Sequence, residues 1–180
     1  MSNQMILWSL IIVPWLTLFF MKKEDIKRFT PVGLFSALTS IIVVEVGQTI
    51  GLFTYGETSY PLLSPSYIFG LNPVTTMWLF RFIYGRFWRY LVIDTVLNFG
   101  FIYSFHVSFL GSRGIFYEVG ITPWQNALIA TIHGIFVYVY HAWQEGAFVR
   151  SEQTNSNTNI QPVLAKPITQ DEAKDSSRKK

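Results

Sequence analysis

No cysteine occurs in the 180-residue sequence. That absence excludes disulfide frameworks, thiolate zinc sites, iron–sulfur clusters and cysteine nucleophiles together. Charge is also scarce: Asp, Glu, Lys and Arg make up 14% of the residues, against about a quarter in soluble domains. What charge there is lies between apolar blocks or in the C-terminal stretch, so a nucleic-acid binder built on a basic face is excluded. Only 3 histidines are present. His133 and His141 stand two helical turns apart, about 12 Å along an axis, too far to share one ion. No HExxH, GxSxG, Walker or dinucleotide glycine pattern appears, and the Gly111–Gly114 turn does not resemble one. No metal and no cofactor are therefore expected.

Apolar surface is what the chain has in abundance: 50% of its residues are hydrophobic and 17% aromatic. Five apolar blocks follow one another, at about Met5–Met21, Pro31–Phe53, Tyr67–Tyr84, Tyr90–Leu110 and Pro123–Trp143. Each approaches the roughly 20 residues that a bilayer-crossing helix needs. The first could pass for a secretory signal, but its positive charges, Lys22, Lys23, Lys27 and Arg28, come after the apolar run. It reads as an uncleaved span, and Pro14 predicts a kink in it. Gly56, Pro61 and Pro65 mark a loop between the second and third blocks. The third block, broken by Asn72-Pro73, has a re-entrant segment as its alternative. The polar stretch from Ser151 to Lys180 cannot bury enough surface to offset its ordering entropy, which predicts disorder. The expected fold is all-α: a bundle of five transmembrane helices over residues 1–145 and a disordered cytoplasmic tail over 146–180.

Charge placement sets the orientation. With five spans and the N-terminus outside, Lys22, Lys23, Lys27, Arg28, Arg81, Arg86, Arg89 and the basic residues of the tail share one side, and only Arg113 is left on the other. This is the positive-inside pattern, and it predicts a cytoplasmic C-terminus. A third block that failed to cross would export both the Arg81–Arg89 cluster and the tail.

Helical geometry then sorts the faces, at 100° per residue. On the fifth block Asn126, Ala127, Ala130, His133, Gly134 and His141 share an arc of about 120°. Leu128, Ile129, Ile132, Ile135, Phe136 and Val139 lie opposite and predict a lipid face. On the fourth, Asp94, Thr95, Asn98 and His106 share one arc. On the second, Gly33, Ser36, Ser40, Gly47 and Gly51 form a small-residue stripe, and Gly47 and Gly51 make a GxxxG pair suited to close helix packing. This helix is expected at the centre of the bundle or at a dimer seam.

Glu45 points away from that stripe. An unpaired carboxylate inside a bilayer costs about 2.5 kcal/mol or more, so it must be paired, protonated or wetted. Gln48, Asn98, His106 and His133 are the other polar groups at membrane depth, and they complete a set of intramembrane candidates. Arg81 and Asp94, near the inner boundary, form a candidate ion pair whose expected role is structural, fixing helix register.

Lys22 to Phe29 followed by Pro31-Val32-Gly33-Leu34-Phe35, then Gly51-Leu52-Phe53 and Tyr55 before a Pro-rich loop, and Asn72-Pro73-Val74 at the third block, resemble a family of small, uncharacterised multipass membrane proteins of spore-forming Firmicutes. The resemblance covers about residues 5 to 145. It implies a bacterial cytoplasmic membrane and a role around sporulation, and it supplies no catalytic residues. The first functional expectation is a non-enzymatic membrane component whose partners are the lipid bilayer and, through its small faces, other membrane proteins or a second copy. No nucleic-acid partner is expected. The alternative is a small transporter or channel with a polar cavity around Glu45 and His133. An intramembrane enzyme acting on lipid ranks third.

Overall fold

The computed structural model describes residues 2–158, with side chains through residue 146, and it is mostly helical. The chain divides into two units between residues 143 and 144. α1 (Asn3–Thr17) ends in a 3₁₀ turn, Leu18–Phe20, and α2 (Lys23–Thr49) follows almost at once. A short strand β1 (Phe53–Tyr55) leads through a loop to α3 (Ser66–Phe69) and α4 (Leu71–Ile83). α5 (Phe87–Gly100) continues as a π-helical stretch, Phe101–Leu110, and a 3₁₀ turn, Gly111–Arg113. β2 (Phe116–Glu118) and α6 (Pro123–Thr158) complete the described chain. The predicted start of the tail at residue 146 falls inside α6, and the tail beyond Thr158 lies outside the described residues.

Among the described residues three helical segments are long and apolar enough to cross a membrane: Asn3–Phe20, Lys23–Thr49 and Phe87–Arg113. Exposed faces on them are apolar, as lipid contact requires. On α2 the exposed stripe is Leu34, Leu38, Ile42 and Val46, one residue per turn. On α6 Leu128, Ile132, Phe136 and Val139 are exposed; of the predicted lipid face, Ile129 turns inward instead.

α2 begins at Lys23, well before the apolar block, because Glu24 and Asp25 occupy its first turn, where the helix dipole favours acidic side chains. The helix runs on through Pro31. It stops in a Schellman cap: Leu52 N–H donates to the Gly47 carbonyl (2.9 Å) and Gly51 N–H to that of Gln48 (3.1 Å). Gly51 adopts φ 75°, the left-handed conformation that such a cap demands. The expected role of Gly51 in helix packing is thereby corrected: it turns the chain, with open space where a side chain would be. Gly47 does pack closely, but against the Phe53 ring of the same chain, whose Cε1 would lie 2.8 Å from an added Cβ.

The remaining small residues of α2 face α4. An added Cβ at Gly33 would lie 2.9 Å from Met77 Cγ, so α2 and α4 approach closely there. A chain of hydrogen bonds stitches the seam: Thr76 donates to Ser36 (3.2 Å), Ser36 to Asn72 Oδ1 (3.4 Å), and Asn72 Nδ2 to Ser40 (2.5 Å). Each such interhelical bond contributes about 0.6 kcal/mol in a membrane.

α3 and α4 together cover the third apolar block, interrupted at Gly70. The break has a cause on α1. Pro14 has no N–H for the Leu10 carbonyl, and the chain at Gly70 packs directly on the Leu10 and Ile11 carbonyls, where no Cβ would fit. α1 itself continues as helix through Pro14.

Two strands depart from the all-α expectation. β1 and β2 pair antiparallel, Phe53 with Glu118, Thr54 with Tyr117 and Tyr55 with Phe116. Asn3 and Gln4 donate to Glu57 just beyond β1 (2.8 and 2.7 Å), and Asn126 of α6 donates to Glu118 of β2 (3.2 Å). The start of α1, the sheet and the start of α6 thus gather at one end of the bundle. A hydrophobic cluster seals this end, with Leu7, Val44, Phe53, Ile68, Leu110 and Phe116 among its members. A second cluster, including Phe29, Met77, Phe80, Tyr90 and Val137, fills the opposite end.

Candidate functional site

Between the two clusters the helices change character. α2 contributes Ser40, α4 contributes Asn72, Thr75 and Thr76, α5 contributes Asp94 and Asn98, and α6 contributes Asn126 and His133 to the wall of one cavity of about 280 Å³. Its apolar wall includes Val43, Leu79, Leu97, Phe101, Ile102 and Ile129. Phe53, Tyr55, Tyr67 and His106 also line it. Pockets of this kind, mostly apolar with a few convergent polar groups, are the usual form of a small-molecule site.

Among the described residues Asp94 is the one carboxylate in the wall, and no Lys or Arg accompanies it. Asn98, one turn further along α5, donates to Asp94 Oδ2 (2.9 Å). The carboxylate lies over Gly134 of α6, where an added Cβ would sit 2.8 Å from Asp94 Cγ. Gly134 therefore makes the room in which Asp94 stands. One turn before Asp94, the Tyr90 hydroxyl donates to the Gly134 carbonyl (2.9 Å) and fixes the crossing of α5 and α6.

His133 bonds to the Thr39 hydroxyl through Nε2 (2.6 Å). Thr39 also donates to the Phe35 carbonyl (2.8 Å). Where the hydroxyl hydrogen is given to the Phe35 carbonyl, Nε2–H of the imidazole is the donor to Thr39. His106, on the π-helical stretch, is 3% exposed, and neither ring nitrogen has a hydrogen-bond partner among the described residues. Aromatic rings wall it in: Phe116 at 4.5 Å, Phe101 at 4.7 Å and Tyr67 at 4.8 Å between centroids. π-Helical turns recur at functional positions, and here the wider turn carries a buried imidazole into the cavity wall.

At the sheet end Tyr55 and Tyr67 share a hydrogen bond between their hydroxyls (2.7 Å). Burial first, then the neighbouring Tyr67, pushes the Tyr55 phenol well above its usual range. Burial likewise raises Glu118, and its hydrogen bond from Asn126 opposes the shift.

Asn98, His106 and His133 thus meet at one cavity, and Glu45 and Gln48 do not line it. Glu45 is exposed in the last turns of α2 and accepts a hydrogen bond from Ser64 of the following loop (3.1 Å). A cavity around Glu45 and His133 is corrected accordingly. Gln48 lies beside Glu45's face in the last turn of the same helix, outside the cavity. The Arg81–Asp94 ion pair is corrected as well: Arg81 Nε bonds Asp25 Oδ2 (3.2 Å) and its guanidinium covers the Trp78 ring (5.0 Å). Asp94 lies about 10 Å along α5 from its start, two turns in, and lines the cavity instead. Thr95 spends its hydroxyl on the Leu91 carbonyl (2.7 Å) and stays out of the cavity wall.

Ser40, Asn72 and the tyrosine pair are site residues that sequence reasoning does not single out. Asn72 reads in sequence as a helix breaker beside Pro73, and Ser40 as part of a packing stripe; each does that work and faces the cavity too. Among the described residues no group of three His, Asp or Glu side chains is gathered as a metal site would need. Comparisons with protein-family models, curated proteins and solved structures find no match for this chain.

Proposed function

We propose that the chain is a small membrane transporter that crosses the bilayer five times, with its N-terminus outside, and takes its solute into the cavity around Asp94. One observation carries this reading: polar groups from α2, α4, α5 and α6 converge on a single cavity in a unit whose outer faces are apolar. Polar groups at membrane depth are costly and are retained chiefly where they serve an ion or solute path.

Support for five crossings comes from the sheet. β1 and β2 pair, so the loops that carry them share one side. The Phe87–Arg113 segment leads back to that side, so α3 and α4 must first leave it. Residues 66–83, helical on both sides of the break at Gly70, could extend up to about 27 Å, close to the bilayer core of about 30 Å. The contacts of Asn3 and Gln4 with Glu57 put the N-terminus beside the same loop. Lys22, Lys23, Arg81, Arg86 and Arg89 fall at the opposite helix ends, which favours that end as cytoplasmic. The residues that resemble the family of spore-former membrane proteins add a bacterial cytoplasmic membrane and a sporulation setting to the proposal.

An assembly component held through small faces is less well supported. Gly33, Ser36 and Ser40 are covered by α4, Gly47 by Phe53, and Gly51 caps a helix. Uptake into proteoliposomes decides the matter, with labelled amino-acid, amine and sugar mixtures as probes. At least one mixture is expected to enter faster than into empty liposomes, and Asn98→Leu, which removes the hydrogen bond to Asp94 and makes the wall apolar there, is expected to abolish the difference. Background uptake of all three would contradict a transport role.

A further inference from the structure

Resting on that reading of the cavity, we infer that its solute is a small organic cation whose ammonium group pairs with Asp94. The charge balance of the wall carries the inference. Among the described residues Asp94 is its only Asp, Glu, Lys or Arg, and it receives a hydrogen bond from the neutral Asn98. The nearest basic side chain of α4, Arg81, is already engaged by Asp25. A carboxylate inside a membrane bundle must be paired, protonated or wetted, and an ammonium on the occupant is the pairing that this wall, with no Lys or Arg among its described residues, leaves open.

Two further features fit a cation. Phe53, Tyr55, Tyr67 and Phe101 line the same cavity, and the faces of aromatic rings attract ammonium groups. His106 offers a second anchor: it is buried, lines the cavity, and both its ring nitrogens lack partners among the described residues. One nitrogen of a neutral imidazole donates and the other accepts, so a hydroxyl on the solute or a carried water satisfies it. Gly134 supplies the remaining requirement, since any side chain there would occupy the space of the carboxylate. An anionic solute would meet Asp94 with repulsion and find no Lys or Arg among the described residues of the wall.

The test is equilibrium dialysis of the full chain in phosphatidylcholine nanodiscs, with empty nanodiscs as the baseline. Three probes of matched size differ in charge: phenethylamine, 2-phenylethanol and phenylacetate. Phenethylamine is expected to bind at least about tenfold more tightly than 2-phenylethanol, with phenylacetate at baseline. Asp94→Asn is expected to erase the tenfold preference while 2-phenylethanol still binds, and Asp94→Glu to retain the preference. Equal or tighter binding of 2-phenylethanol or phenylacetate by the wild-type chain would overturn the cationic assignment and leave the cavity reading standing. If none of the three bound up to about 10 mM, both would fall. The wild-type panel alone separates these outcomes, so the test holds even where a variant does not fold.

Discussion

The aromatic end of the bundle and the polar band next to it are built on opposite rules. At the aromatic end Phe80 is fully buried and touches Tyr84, Tyr90, Tyr138 and His141 with ring centroids 4.8 to 5.9 Å apart. Less than three turns along α5 from Tyr90, the wall consists of Asp94 and Asn98, and the helices part around a cavity. The same helices run through both regions. What differs is the side chain offered at each level: large rings that interlock at one, and short polar groups that leave volume at the other. The solid end fixes the helix crossings, and the polar band uses the positions so fixed.

Four substitutions sharpen this contrast, taken from the largest effect to the smallest. Phe80→Ala removes the central ring of the solid end and should cost about 3 kcal/mol, read by thermal unfolding in detergent with circular dichroism. Gly33→Leu drives a side chain into Met77 and the Pro73 carbonyl. The α2–α4 seam should then lose about 2 kcal/mol to overpacking, measured by titration with a denaturing detergent. At Gly51, Ala must adopt φ 75° at the Schellman cap, and the loss should be about 1 kcal/mol in the same titration. Asp94→Asn should change stability least, by about 0.5 kcal/mol and in the stabilising direction, because an uncompensated carboxylate is relieved. A large loss of stability from Asp94→Asn, comparable to that from Phe80→Ala, would erase the distinction between the two regions.

Much of this architecture can be read in the sequence, for reasons that also explain what cannot. The apolar runs locate α1, α2, α5 and α6, since a long helix with apolar inner and outer faces shows as a run whatever its neighbours are. Helical periodicity puts Asn126, His133 and Gly134 on one face of α6, and the small stripe of α2 foretells a close neighbour. Other facts escape. Strands of three residues, Phe53–Tyr55 and Phe116–Glu118, carry no periodic signal; their aromatic residues suit strands, but the pairing joins loops more than sixty positions apart. Arg81 finds Asp25 because α2 starts at Lys23, inside a charged stretch that reads as a boundary. The surroundings of His106 depend on a π-helical stretch, which a constant 100° per residue does not represent. Glu45 is settled by a loop residue, Ser64, whose approach no local pattern announces. Asp94 is legible as a member of the Asn98–His106 arc. Its depth, two turns inside α5, is what moves it from an ion pair to the cavity.

The most direct test of a reachable cavity inside an apolar shell uses the absence of native cysteine. Val96 and Asn98 sit two residues apart on α5, at nearly the same depth: Val96 is 65% exposed on the outer face and Asn98 lines the cavity. Single Asn98→Cys and Val96→Cys proteins in nanodiscs can be treated with a charged, water-soluble methanethiosulfonate ammonium reagent. Modification of Asn98→Cys, slowed by phenethylamine, with Val96→Cys unreactive in lipid, is the predicted result. An unreactive Asn98→Cys beside a reactive Val96→Cys would mean that water meets the other face of the helix, and would contradict the account.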